Sequence, residues 1–267
     1  MNTVETTHDT VRMEALPAED LPRAAALIAA SFREEGFTRN TLKLTTPEQR
    51  QRFAEAGEVR LLLSQAGGEQ VLAATIGETL AGVAIVRPPA PQAAPWYQQV
   101  GIVLRHAPRL LPMLKDMYWW RTLQIIPAGI LSVTLPRPYY TLDILAVSPE
   151  CQGQGVGRRL LEHFHALCDQ DEQASGIYLI TGDEKNTRIY RRFGYEIVET
   201  KQGGALTVWH MFRPHPARDV EAFFAALREA APEQASARRR KFALPILGVA
   251  GTIIGLALLR RWLRSRA

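Results

Sequence analysis

The stretch that most restricts the fold is CQGQGVGRRLL, residues 151–161, where three glycines in five residues part an apolar run from a helical pattern. The run before it, YYTLDILAV at 139–147, is rich in the β-branched and aromatic residues of strands. After it, Val156, Leu160, Phe164 and Leu167 recur at helical spacing, predicting a helix to about Cys168. A strand that turns through glycines into a helix presents free backbone N–H groups at the helix's positive end. Glycine also removes the Cβ that would hold this backbone away from a ligand oxygen. The loop reads as a phosphate cradle. A tight turn alone would need only one of the glycines.

Three phosphates compete for it. A Walker loop needs Gly-Lys-Ser/Thr, which does not occur in the chain. A dinucleotide fingerprint needs Gly-x-Gly-x-x-Gly directly after a strand. Here the spacing is Gly153-x-Gly155-x-Gly157, and SPECQ intervenes. Asp183 lies after the next strand, roughly where a ribose-binding acid sits, yet no further βα repeats follow, so a nucleotide-binding oxidoreductase is a poor second. The pyrophosphate of coenzyme A fits best, with Arg158 and Arg159 as cationic partners.

The remaining pattern is a mixed one. VRMEAL (11–16) predicts a strand, and Asp20 precedes the apolar set Leu21, Leu27, Ile28 and Phe32 of a helix stopped near Gly36. TPEQ (46–49) is a capping-box candidate with Pro47 at the first helical position. QVLAATIGETLAGVAIVRPP (70–89) predicts two strands joined around Gly77 and Glu78. Residues 90–137 hold no motif and read as helices and loops over one face, either lining a substrate cleft or adding core. GIYLIT (176–181), a short helix near Thr187–Phe193, then YEIVET (195–200) and LTVWHMF (206–212) complete the domain. Val220, Phe223, Phe224 and Leu227 mark an amphipathic helix, and 230–241 a linker.

At this point LDILAVSPECQGQGVGRRLL resembles the acetyl-CoA-binding motif of the GNAT N-acetyltransferase superfamily, with Gln152, Gly155 and Gly157 in its Gln/Arg-x-x-Gly-x-Gly/Ala positions. NTRIYRRFGYEIVE (186–199) is similar to the family's second motif through Asn186, Tyr190 and Gly194, with Tyr195 in place of the usual Phe. The clear resemblance covers about 139–213. It implies an α/β (α+β) domain over 11–213 with a mixed, mostly antiparallel central sheet flanked by helices. It further implies acetyl-CoA as co-substrate and direct attack by an amine of an acceptor left unnamed. The implied cofactor-binding set is Leu145, Ala146, Val147, Gln152, Gly153, Gln154, Gly155, Val156, Gly157, Arg158, Asn186 and Tyr190.

Such chemistry needs a proton acceptor for the amine, a donor to the developing oxyanion, and an acid for the departing thiolate. Tyr190 matches the family's acid position; a core aromatic on a short helix is the plainer alternative. Asn186 would bond the cofactor arm or cap its helix. Asp143 is the carboxylate on the key strand and, by alternation, shares a face with Leu145 and Val147. It is the candidate catalytic acid–base group beside Tyr190, although a structural Asp fits equally. His163 and His165 lie two apart on a helix and point to different faces, so no metal is expected. Without an evident base, a non-catalytic CoA-binding scaffold or regulatory module at the membrane is the alternative function.

Charge is distributed unevenly. Residues 238–267 carry eight of the Lys and Arg and no acid; removing those eight from the formal +5 leaves the body at −3, which does not suit nucleic acid. The two cysteines argue against a disulfide framework. The start has no apolar core of a signal peptide, and 1–10 is expected to be disordered. FALPILGVAGTIIGLALL (242–259) is 18 residues without a charge, about 27 Å as a helix, with four cations on each side. It is expected to cross a membrane as a C-terminal anchor, between the 214–241 helix-and-linker and a basic tail at 260–267. Gly251 and Gly255 form a small-xxx-small pair available for self-association. Acetyl-CoA is a cytoplasmic metabolite, so the catalytic domain is expected to face the cytoplasm.

Overall fold

Alternating apolar runs in this chain need helices on both faces of a sheet to cover them, and the computed structural model, which describes residues 11–225 and 227, has that arrangement. The strands are β1 (Arg12–Ala15), β2 (Gln70–Ile76), β3 (Thr79–Arg87), β4 (Tyr140–Val147), β5 (Gly176–Thr181), β6 (Glu196–Gly203) and β7 (Leu206–Pro214). They form one sheet in the order β1-β2-β3-β4-β5-β7-β6. Every neighbouring pair is antiparallel except β4 and β5, which run parallel. Helices α1 (Leu21–Phe32) and α3 (Pro47–Ala66) cover one face, where Ala24, Ile28 and Leu61 pack on Val83, Ile85, Ile144 and Ala146. Helix α6 (Val156–Asp169) covers the other through Leu161, Phe164 and Cys168 against Leu142, Ile177 and Leu179.

Local signals explain most boundaries. The Thr46 side chain accepts from Gln49 N while Gln49 reaches back to Thr46 N, closing the expected capping box of α3. Gly36 does not stop a helix; α1 ends at Phe32, and Gly36 opens α2 (Gly36–Thr41) because the Glu35 side chain accepts from Phe37 N and Thr38 N. The 90–137 segment supplies α4 (Trp96–Leu110), α5 (Trp119–Ile125) and short 3-10 turns, and α4 packs on α3. Helix α7 is Glu184–Arg191, three residues earlier than its apolar pattern implied. The chain is helical again at 220–225, where the Phe223 ring stacks on Phe212 at 5.2 Å. The expected disorder of 1–10, the apolar segment 242–259 and its Gly251–Gly255 pair lie outside the described residues. Among the described residues no helix is long and apolar enough to cross a membrane.

Two departures from regularity position the site. Ile85 pairs with Ile144 but Val86 with Leu142, so Asp143 is the extra residue of a β-bulge. The bulge cancels strict alternation: Leu142 and Ile144 face opposite helices, and Asp143 does not share a face with Leu145 and Val147 but reaches Arg60 of α3. Second, β4 and β5 pair only from Tyr140↔Ile177 to Leu142↔Leu179. Beyond Leu142 the two strands part, leaving one edge of β4 open.

Candidate active site

The parted strands open into a cavity of about 610 Å³. Its walls come from α1, α2, β4, β5, α5, α6 and α7, so residues from Ile28 to Phe193 meet there. Of the expected site residues, Asp143, Leu145, Val147, Gln152, Gly157, Arg158, Asn186 and Tyr190 line it. Gly153, Gln154 and Gly155 are exposed on the loop outside the lining. The side chains of Ala146 and Val156 are buried core, on the α1 and α6 faces respectively, so either could meet a ligand only through its backbone.

The glycine loop has two kinds of requirement. Gly153 (φ +81°) and Gly155 (φ +79°) hold left-handed backbone, costly for a residue with a Cβ, although open space surrounds both. Gly157 has ordinary φ, but a Cβ there would lie 3.2 Å from Val147 Cγ2, so this glycine lets the helix start press against the end of β4. The turn thus uses more than one glycine for itself. Gly155 is the N-cap of α6 without a side-chain cap, leaving the first helical N–H groups without a side-chain partner. That is what a phosphate cradle needs, and Arg158, held by Glu162 at 2.7 Å, adds a cation beside it.

At the inner end sits a residue the sequence pattern did not mark. Glu35 lines the cavity, with Oε2 accepting from Phe37 N at 2.8 Å and Thr38 N at 3.2 Å. Burial pushes its carboxyl up to about 7, resisted by those backbone donors and assisted by the charge of Asp183. Asp183 accepts from Gly36 N at 3.3 Å, so two carboxylates share the start of α2. A Cβ on Gly36 would meet the Gly182 carbonyl oxygen at 2.5 Å, so only glycine brings α2 this close to the end of β5. Nothing in the local sequence marks Glu35, and the Asp183 that shares the start of α2 with it is 147 residues from Gly36 along the chain.

Tyr190 lies half-buried in the wall with its ring against Tyr195, centroids 5.6 Å apart. Burial, then the Glu35 charge, pushes its phenol up to about 12, so it stays protonated and can donate. Its hydroxyl makes no hydrogen bond to any described residue. Asn186 is not a cap, since Asp183 holds the N-cap position of α7; its Nδ2 donates to Thr181 Oγ1 at 3.3 Å. Tyr195, in place of a Phe, is core with its hydroxyl 3.1 Å from His165 Nε2, which answers the cost of burying a phenol.

Asp143 is otherwise engaged. Arg60 and Arg87 approach its Oδ2 at 3.0 and 2.9 Å, and both guanidinium groups also hold Glu69. Burial pushes the Asp143 carboxyl up to about 6, against the pull of Arg87 and Arg60. Ser31 Oγ donates to the Val147 carbonyl at 2.8 Å and ties the end of β4 to α1. No cluster of His, Cys, Asp or Glu among the described residues is arranged to hold a metal.

Residues 118–197 match the family model described as an acetyltransferase (GNAT) domain. A structure described as a histone acetyltransferase and related acetyltransferase, from Corynebacterium glutamicum, is 17% identical and superposes with a TM-score of 0.56, covering 78% of this chain and 98% of that one. A GNAT family acetyltransferase from Brucella melitensis, solved with acetyl-CoA, is 16% identical, covers 79% and 95%, and has a TM-score of 0.42. Residues 118–197 thus carry the match to the acetyltransferase (GNAT) domain model, and the chain shares its fold with the Corynebacterium structure.

Proposed function

We propose that this domain moves an acetyl group from acetyl-CoA to an amine by direct attack, with Glu35 accepting the amine's proton and Tyr190 donating to the leaving thiolate. The observation that carries this reading is the meeting of three features in one cleft: the uncapped start of α6, the Glu35 carboxyl near 7, and the protonated Tyr190 phenol. The co-substrate fits that set of groups. The uncapped N–H groups of Val156, Gly157 and Arg158 would cradle the pyrophosphate, and the open edge of β4 at Leu145–Val147 would run beside the pantetheine arm. Acetyl-CoA brings the thioester carbonyl.

Glu35 is favoured over Asp143 as base on chemical grounds. A carboxyl near 7 holds a proton or releases it at working pH, the condition for general base catalysis. Asp143 already neutralises two guanidinium groups, and protonating it would leave them short of a partner. It acts as a positioning residue that fixes the β4 bulge to α3. The acceptor half of the cavity is lined by Phe37, Leu42, Phe53 and Ile125, so the body behind the amine is apolar.

We also read 242–259 as a membrane anchor with the domain on the cytoplasmic side. The support is its length, its lack of charge and its flanking cations. Amine-dependent release of CoA, followed through its free thiol, tests the transfer. Release that requires an amine, and is faster for amines with apolar bodies, is expected. Tight acetyl-CoA binding with no release across a panel of primary amines would show a non-catalytic CoA module instead.

A further inference from the structure

The covering segment that contributes Thr122 and Ile125 to the cavity has a second, outward face. Tyr97, Gly101, Leu104 and Pro108 of α4, with Leu111 just past its end, follow one another at spacings of four and three, and all are exposed. Trp96 at 75%, Leu104 at 68% and Trp120 at 73% exposure are far outside the range of a packed face. On α5, Thr122 and Ile125 are buried while Trp120 and Leu123 stand outward. Isolated exposed apolar residues are ordinary, but a run of this size along consecutive elements marks a docking surface.

Charge identifies the occupant. From 88 to 137 the cations are Arg105, Arg109, Lys115, Arg121 and Arg137, and the one acid is Asp116. Asp116 is buried and held by Arg52 at 2.7 Å, so it does not offset them at the surface. Arg109 is shared with Glu58 at 3.1 Å, and Arg121 lies over the Tyr118 ring, while Arg105, Lys115 and Arg121 remain exposed. A segment with outward Trp, Tyr and Leu whose own exposed charges are all cations, in a body of net −3, complements an anionic lipid surface.

We infer that the outer face of α4 and α5 lies on an anionic bilayer, inserting Trp96, Leu104, Trp120 and Leu123 at headgroup depth. The inner side of the same α5 lines the acceptor half of the cavity, so the docked face holds the mouth of the site beside the lipid. This contact adds to the anchor read at 242–259 but stands on different residues.

The full chain is tested on vesicles whose acyl chains carry bromine, a short-range quencher of tryptophan. Trp262→Phe removes the tail's own reporter, and the remaining emission should still be quenched on phosphatidylglycerol vesicles. Adding Trp96→Phe and Trp120→Phe should remove about two-thirds of that quenching, since these are two of the three exposed tryptophans among the described residues. Quenching should weaken on phosphatidylcholine vesicles and with added salt. Unquenched emission from Trp262→Phe, or quenching indifferent to residues 96 and 120, overturns the inference; equal quenching on both lipids overturns its anionic part. Shielding of these tryptophans from aqueous acrylamide in lipid-free protein, without bromine quenching on vesicles, would give the face to segment 242–259 or a second copy and also overturns it. Carbonate extraction of membranes reads the anchor separately, because it reports the tail and not this face.

Discussion

Replacing Glu35 by Gln keeps an oxygen that can accept from Phe37 N and Thr38 N while removing the titrating carboxyl. Two consequences follow from one cause. The carboxyl binds its proton up to about pH 7 in the folded protein, against a usual 4.5, so the unfolded chain releases it first. Stability from the protonated form is therefore fully present below 4.5 and is lost as pH rises through 7. At 1.36 kcal/mol per pH unit the whole effect is about 3 kcal/mol, of which about 2.5 kcal/mol falls between pH 5 and 8. Urea unfolding of both full-length proteins in detergent at those two pH values measures it: the Gln variant should gain by that amount, relative to the parent, at the higher pH. On activity, kcat/KM of the parent should rise with pH and level off above about 7, and the variant should lose on the order of 10²–10⁴-fold at pH 8. A stability difference indifferent to pH would refute the buried, raised carboxyl. An unchanged rate at pH 8 would remove Glu35 as the base.

Three further outcomes are expected. Tyr190→Phe should lower kcat with acetyl-CoA affinity by calorimetry nearly intact; an unchanged kcat would leave Tyr190 as a wall aromatic. Gly155→Ala must place a Cβ at φ +79°, costing about 1–2 kcal/mol and weakening acetyl-CoA binding, whereas Gly157→Ala has no such backbone penalty and is limited by its contact with Val147. Arg60→Met strips one of the two guanidinium groups from buried Asp143 and Glu69, and thermal unfolding should show a loss of about 3–5 kcal/mol.

How far the chain could be read without coordinates depends on the range of the forces involved. The capping box at Thr46, the turn at Gly77, the strand at 140–147 and the loop into α6 are written in residues within a few positions of one another, and they appear where the spacing placed them. Tyr190 also lies on its expected short helix, but that helix starts at Glu184 and so takes in Asn186, which the apolar pattern had left before it. The bulge at Asp143 was not visible, because nothing in LDILAV shows that its neighbour β3 shifts register. Once the shift occurs, alternation fails and Asp143 turns toward Arg60 on a helix 83 residues earlier.

What the linear pattern determined by itself, then, is the order of elements, the phosphate-type loop and the kind of ligand it suits, because backbone conformation and helix capping are local. Only the tertiary structure brought Glu35, Asp183 and Tyr190 together at the inner end of the cavity. Glu35 is an ordinary surface-type residue in the sequence; with α2 packed against Gly182, burial and the nearby Asp183 raise its carboxyl. Desolvation and the parting of β4 from β5 are properties of the packed assembly, and no window of neighbouring residues contains them.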